Sequence, residues 1–350
     1  MKCLLLVSAL FSALLVPLSH ALAESAVVLT YHRVGENDVP STNVRIEQFE
    51  QQLEYLATND FNVWPLSKVI DAVKLGTAIP ERTVAITFDD AYLSIYTEAF
   101  PRLQKLGFPF TIFAATDPVD KGYSRYLSWE QLREMKAAGV EVANHSKRHP
   151  YMVRRLLDES DEAYRLRLTT EIEQAQQRLE AELGEQPKLF AYPYGEYSGE
   201  LEQLVKSLGY AAVAQHSGAI NGKSNILALP RFPINEHYSD IQQLAVKLKS
   251  LPLPIKALST AEPIWLGDEA PRLEITLAAG TKGISELACY ASGQGRMEIE
   301  WLDRSAGNFA IQAAKPLRVG RHRYTCTAPN SERRYQWFSH LWIVNPSQPN

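Results

Sequence analysis

Two adjacent carboxylates, Asp89 and Asp90, close an apolar, β-branched run that begins at Val84. Side chains alternate direction along a strand, so neighbouring acids at its end can do different work, one holding a cation while the other moves a proton. Downstream, His145 and His149 stand four residues apart. That spacing puts both imidazoles on one side of a helical turn or a tight loop. Either pair alone is common on protein surfaces. Together they offer a two-histidine, one-aspartate ligand set, and three protein ligands leave a catalytic zinc an open position for water or substrate. Water on such a cation ionises near neutral pH and attacks a carbonyl when a base stands beside it. One aspartate as ligand and its neighbour as base meets that need.

The elements that must position these residues alternate between strand and helix. Apolar runs at 27–31, 61–64, 84–89, 110–114, 140–144, 188–192 and 210–215 read as short strands. Helical spacing with start and stop signals predicts helices over 46–57, 68–74, 95–106, 161–183 and 201–208. A further helix opens with a capping box, Ser128 and Gln131, and stops near Gly139. Repeated strand–helix units imply parallel strands with crossover helices. The chemically loaded residues, His32, Asp89-Asp90, His145 and Tyr194, all follow the C-terminal ends of strands, the functional face of β/α folds. About seven such units favour a (β/α) barrel, distorted or incomplete, and periodicity alone does not separate it from an open sheet.

Beyond Lys249 the helical spacing stops. Leu251-Pro252-Leu253-Pro254 reads as a semi-rigid linker, and alternating runs such as 273–277 and 297–301 follow it. About seven short strands there predict a small antiparallel β-sandwich. The expected division is a leader over 1–23, a catalytic unit over 24–248, a linker over 249–262 and an accessory β-domain over 263–350. The leader reading rests on Lys2, the apolar run from Cys3 to about Leu18 and the small residues of Ala21-Leu22-Ala23, with cleavage after Ala23. The expected location is therefore secreted or periplasmic, with no membrane anchor once the leader is removed. Cys289 and Cys326 then remain as an even pair, expected to form a disulfide that staples the two sheets of the sandwich. The formal net charge is −4, which gives no electrostatic reason to expect nucleic acid as a partner.

Three motifs in order carry a family resemblance: Thr87-Phe88-Asp89-Asp90, then His145-Ser146-x-x-His149-Pro150, then Tyr192-Pro193-Tyr194-Gly195. Together they resemble the first three motifs of polysaccharide deacetylases with the NodB-homology domain (carbohydrate esterase family four), over roughly residues 26–233. Tyr31-His32-Arg33-Val34 resembles the branch that includes poly-N-acetylglucosamine deacetylases. The resemblance implies a distorted barrel, a divalent metal (usually zinc), and hydrolysis of an N- or O-acetyl group on a sugar polymer. It implies Asp89 as general base, Asp90, His145 and His149 as metal ligands, and the backbone N–H of Tyr194 as a donor to the oxyanion.

The chain also departs from the pattern. Ala191 stands where many members carry an arginine that orients the base. Arg231 is the expected substitute, offered from the next strand end. The Leu-x-His motif that usually supplies the general acid is missing from its place. His32, at the end of the first strand, is the expected acid, with His216 the alternative. Tyr31, Tyr192 and Pro193, with Trp129 and Tyr194, are expected to line a sugar groove. The reading is a metal-dependent deacetylase acting on an acetylated polysaccharide, an N-acetylglucosamine polymer favoured. The alternative is a degenerate polysaccharide-binding protein that keeps the fold.

Overall fold

The computed structural model describes residues 25–346, so the expected leader lies outside the described residues. The strands Ser25–Tyr31 and Thr83–Asp89 are buried along their whole length, as continuous apolar runs require when both faces are covered. They sit side by side in a curled sheet. From one end its order is Ala219–Asn221, Ser25–Tyr31, Thr83–Asp89, Thr111–Ala114, Glu141–Asn144, Leu189–Ala191 and Ala211–Val213. All neighbours run parallel except Ala219–Asn221, which pairs antiparallel with the first strand. The barrel is completed by a short segment. Leu229 bridges to Val213, and Phe232 and Pro233 pair with Leu29 and Thr30, so the stretch between 229 and 233 joins the two ends of the sheet. Arg231 sits in the middle of that closure.

Helices cover the outside. Ile46–Thr58, Leu66–Leu75, Trp129–Ala137 and Asp161–Leu183 form as the spacing predicts. Gly76 ends the second of these in a left-handed turn, and Ser128 with Gln131 makes the capping box. The 95–106 helix differs in one respect. It opens with a π-helical turn, Ile95–Ala99, and becomes α-helical at Phe100–Leu106. Pro101 lacks the N–H that a regular α-turn there would use. Between the sheet and these helices, Phe88 packs against Tyr31, Phe49 and Phe110 at ring-centroid distances of 5.4, 6.2 and 5.5 Å. Burying each such ring contributes roughly 1.5–3 kcal/mol.

The C-terminal region is a sandwich of two further sheets. One is built on Ala288–Ala291, Gly320–Pro329 and Tyr335–Val344, the other on Ile255–Leu258, Arg272–Leu277, Ile299–Asp303 and Asn308–Gln312. Leu273, Ile275, Phe309 and Ile311 from one face meet Cys289, Tyr324, Cys326 and Trp342 from the other. The stretch expected as a linker is not free chain. Leu251 and Pro252 pair with Gln336 and Trp337, and Ile255–Leu258 pairs with the strand Arg272–Leu277. Their proline carbonyls and alternate N–H groups suffice for edge pairing, where proline is tolerated.

The disulfide forms between Cys289 and Cys326, but it does not staple the two sheets. The two cysteines face each other in register on adjacent antiparallel strands of one sheet, so the bridge is cross-strand. It encloses a separation of 37 residues. We expect no free thiol in the mature, oxidised protein, from which the leader with Cys3 has been cut, and reduction should destabilise the sandwich by roughly 2–4 kcal/mol. Thiol titration in denaturant, with thermal melting before and after reduction, checks both. Two titratable thiols before reduction would exclude the bridge.

Candidate active site

Asp89 is the last residue of its strand and has no solvent exposure. Arg231, equally buried, reaches it from the closing segment with both terminal nitrogens, Nη1 to Oδ1 at 2.7 Å and Nη2 to Oδ2 at 2.8 Å. The guanidinium is itself fixed. Its Nε donates to the Ala214 carbonyl at 2.9 Å and Nη1 donates to Thr87 Oγ1 at 3.1 Å. Gln215 adds a third donor to Asp89, Nε2 to Oδ2 at 3.2 Å. Burial opposes ionisation of this carboxyl, but Arg231, His145 and His32 outweigh it and hold the pKa below the ordinary aspartate value. Arg231 thus meets Asp89 across the barrel mouth, from a different strand end than Ala191.

Asp90 turns the other way. Its backbone is left-handed (φ 72°), as is that of Ala91 (φ 57°). Ser146, His149 and Tyr194 share this conformation, at φ 64°, 58° and 59°. Left-handed non-glycine residues are uncommon and costly, and their clustering at one rim marks a backbone bent to place side chains. The result is a compact donor set. One oxygen of Asp90 lies 3.4 Å from His145 Nε2 and 3.3 Å from His149 Nε2. The three ligand atoms all fall within 4.8 Å of one another.

The surroundings suit a cation. His145 Nδ1 stands 2.8 Å from the Ala191 carbonyl, which can only accept, so Nδ1 carries a proton and Nε2 is the nitrogen turned toward Asp90. His149 is held neutral, its pKa pushed down to about 4 by burial and then by His145. Burial opposes ionisation of Asp90, but its hydrogen bond with His145 outweighs that and holds the pKa below the ordinary aspartate value. The loop is anchored from behind. Ser146 N donates to Asn144 Oδ1 at 2.8 Å, and His149 N donates to Ser146 Oγ at 3.0 Å. Buried Glu171, on the helix Asp161–Leu183, accepts from Arg148 N at 2.9 Å and pairs with the Arg148 guanidinium. One carboxylate and two imidazoles form a mixed oxygen–nitrogen set, which fits a borderline ion such as zinc.

These groups open on a cleft of about 720 Å³ lined by His32, Asp90, His149, Tyr194 and Gln215, among others. His32 therefore reaches the cleft, and burial lowers its pKa against the pull of Asp89 and Asp90. His216 does not reach it. It is packed near Tyr197, with burial lowering its pKa to about 3. Tyr194 stacks on Tyr151 at 3.9 Å between ring centroids and meets His149 edge-on at 4.4 Å.

Three expected groove residues are corrected by the structure. Tyr31 is buried between the sheet and the helix Ile46–Thr58, with its hydroxyl donated to Gln52 at 2.7 Å, and Tyr192 is buried with its hydroxyl on the Leu227 carbonyl at 2.8 Å. Pro193 is buried beneath the Tyr194 turn. Trp129 is also outside the cleft, on the surface beside Asp120 and Arg178. The sequence reading missed Gln215, a lone amide with no motif around it. It also missed Ser292, Arg321 and Arg323, which reach the cleft from the C-terminal sandwich.

The fold and the site define a β/α-barrel domain with a three-residue candidate cation centre at the C-terminal rim of its strands. Residues 77–213 match the family described as Polysaccharide deacetylase. It is 25% identical over 242 residues to a poly-beta-1,6-N-acetyl-D-glucosamine N-deacetylase of Escherichia coli K12, covering 59% of this chain and 36% of that protein. A protein of the same name from Staphylococcus aureus MRSA252 is 26% identical, with 61% of this chain and 79% of the other covered. The chain thus spans about a third of the length of its Escherichia coli relative. Among solved structures, IcaB from Ammonifex degensii aligns with a TM-score of 0.56 at 25% identity, covering 64% of this chain and 97% of that one. The Streptococcus pyogenes deacetylase PplD aligns at 0.58 and 24% identity over 64% and 98%, which bears on the fold.

Proposed function

We propose that the chain is an exported hydrolase that removes acetyl groups from an acetylated polysaccharide, an N-acetylglucosamine polymer being favoured. The observation that carries this is the division of labour between Asp89 and Asp90. One is clamped by Arg231 in the barrel mouth, and the other is turned into a two-histidine ligand set beside it. Asp90, His145 and His149 would hold a divalent cation, zinc by preference. When bound, that cation supplies Lewis acidity, polarising the acetyl carbonyl and easing ionisation of water.

The remaining work falls to the chain's own groups. Asp89 takes the proton from the attacking water, with Arg231 and Gln215 fixing its lone pairs in one direction. The Tyr194 backbone N–H donates to the oxyanion. His32, in the same cleft, returns a proton to the leaving sugar nitrogen. The unit over 24–248 acts as the catalytic domain and 263–350 as its β-domain partner. Export is supported by the Cys289–Cys326 bridge, since such bonds persist in oxidising compartments.

Acetate release from a panel of acetylated glycans tests the reading, run beside metal analysis. Purified protein is expected to hold about one divalent cation per chain, and a chelator should abolish acetate release until zinc is restored. Full activity in metal-free protein would refute the ligand assignment. Tight glycan binding with no acetate released by the metal-loaded protein would favour the degenerate binder instead.

A further inference from the structure

One wall of the cleft belongs to the sandwich. Along the strand Gly320–Pro329, Tyr324, Cys326 and Ala328 are buried in the sandwich core, so Arg321 and Arg323 fall on the opposite, outward face. Both line the cleft with Asp90, His149 and Tyr194. Each also ties down a loop of the barrel rim. The Arg321 guanidinium donates to the Tyr194 carbonyl, and Arg323 Nη1 donates to the Gln215 carbonyl at 3.2 Å.

The charges do not balance. Buried Glu196 serves Arg154 at 3.3 Å and Arg321 at 3.6 Å together. Arg323 has no salt-bridging carboxylate among the described residues, and Asp90 is the only acid on the cleft wall. Burial and the neighbouring Arg321 both lower the Arg323 pKa, as expected for a cation short of counter-charge. A guanidinium carries five donors in a planar fork that matches a carboxylate. One carbonyl bond leaves most of the Arg323 fork unused.

We propose that Arg321 and Arg323 form a subsite for the carboxylate of a uronic acid unit beside the acetylated sugar, so that the preferred glycan is an acidic acetylated polysaccharide. The role of this glycan as a substrate rests on the deacetylase reading, whereas the subsite itself rests on the wall alone. An equilibrium titration of the zinc-loaded full chain in the cold separates the two. The probes are a heparosan tetrasaccharide, which alternates glucuronate with N-acetylglucosamine, and a neutral N-acetylglucosamine tetrasaccharide, with acetate followed in the same samples.

Heparosan is expected to bind ~10-fold or more tightly, since charge-assisted bidentate bonds are about twice as strong as neutral ones. That margin should shrink as salt is raised. Arg323→Gln should remove most of the preference and Arg323→Lys should keep part of it, with circular dichroism confirming that both are folded. Equal affinity of the two probes, no binding of heparosan, or a preference insensitive to salt would overturn the subsite. An equal loss for both probes in Arg323→Gln would also overturn it, leaving the arginine a strut. Should Arg323→Gln not fold, the salt test on the unaltered chain still decides. A heparosan preference with no acetate released would retain the subsite and refute the deacetylase reading.

Discussion

Asp89→Asn is expected to keep its cation and lose its turnover. Asparagine preserves the shape and still offers Arg231 a carbonyl oxygen, but it cannot accept a proton from water. Acetate release should fall ~10²–10⁴-fold, the range associated with a positioned base. Asp90→Asn should fail differently. It takes a charged oxygen out of a set in which Asp90 lies 3.4 and 3.3 Å from the two imidazoles, so metal affinity itself should drop. The decisive measurement is metal stoichiometry and acetate release for both variants side by side, at zinc concentrations high enough to refill a weakened site. Rescue of Asp90→Asn by added zinc, with none for Asp89→Asn, is the expected pattern. If Asp89→Asn sheds its metal while Asp90→Asn keeps it, the two roles are reversed.

Arg231→Met should unfold the protein more readily and should make its stability rise on acidification. The pair Arg231–Asp89 has no solvent exposure on either side. Removing one member of a buried pair leaves an uncompensated charge, at a cost of roughly 3–5 kcal/mol. In the parent, the Asp89 pKa lies below its unfolded value of about 3.9. Its stabilising contribution is therefore fully present above that pH and is lost as pH falls through the folded pKa. Without the guanidinium, burial dominates and the folded pKa rises above the unfolded one. The variant then carries its penalty at neutral pH and sheds it as pH falls through the raised value. Denaturant melts from pH 7 down to about 4 measure this. The gap between variant and parent should narrow with acid, and a gap that stays constant would mean that Asp89 remains ionised without Arg231. Thr87 and the Ala214 carbonyl would lose their donor in either case, which sets a floor under the cost.

The parts of the site that were legible in the sequence are those where residue type, spacing and strand end coincide. Asp89-Asp90 and His145-x-x-x-His149 meet because both follow buried parallel strands that share one rim. Arg231 was legible as a cation at a strand end opposite an unfilled position. Tyr31 and Tyr192 went wrong for a specific reason. An aromatic at a strand end packs inward or outward according to a phase that one residue of register reverses. Gln215 carried no signal, since a single amide acquires meaning only through the carboxylate opposite. The 320–329 alternation was readable as a half-buried strand, but nothing in it says that the outward face would meet a catalytic cleft. The two cysteines were readable as partners, yet sequence alone could not place them within one sheet.

The closure of the barrel by the 229–233 segment also orders events in time. The Arg231–Asp89 contact spans 142 residues of chain, and the contacts from Arg321 to Tyr194 and from Arg323 to Gln215 span 127 and 108. The ligand set needs only the stretch from Asp90 to His149. Joining distant segments carries the larger entropic cost and comes later in folding. Contact locality therefore predicts that the loop carrying Asp90, His145 and His149 is ordered before the Arg231–Asp89 seam, a sequence that pulsed hydrogen-exchange labelling during refolding would reveal.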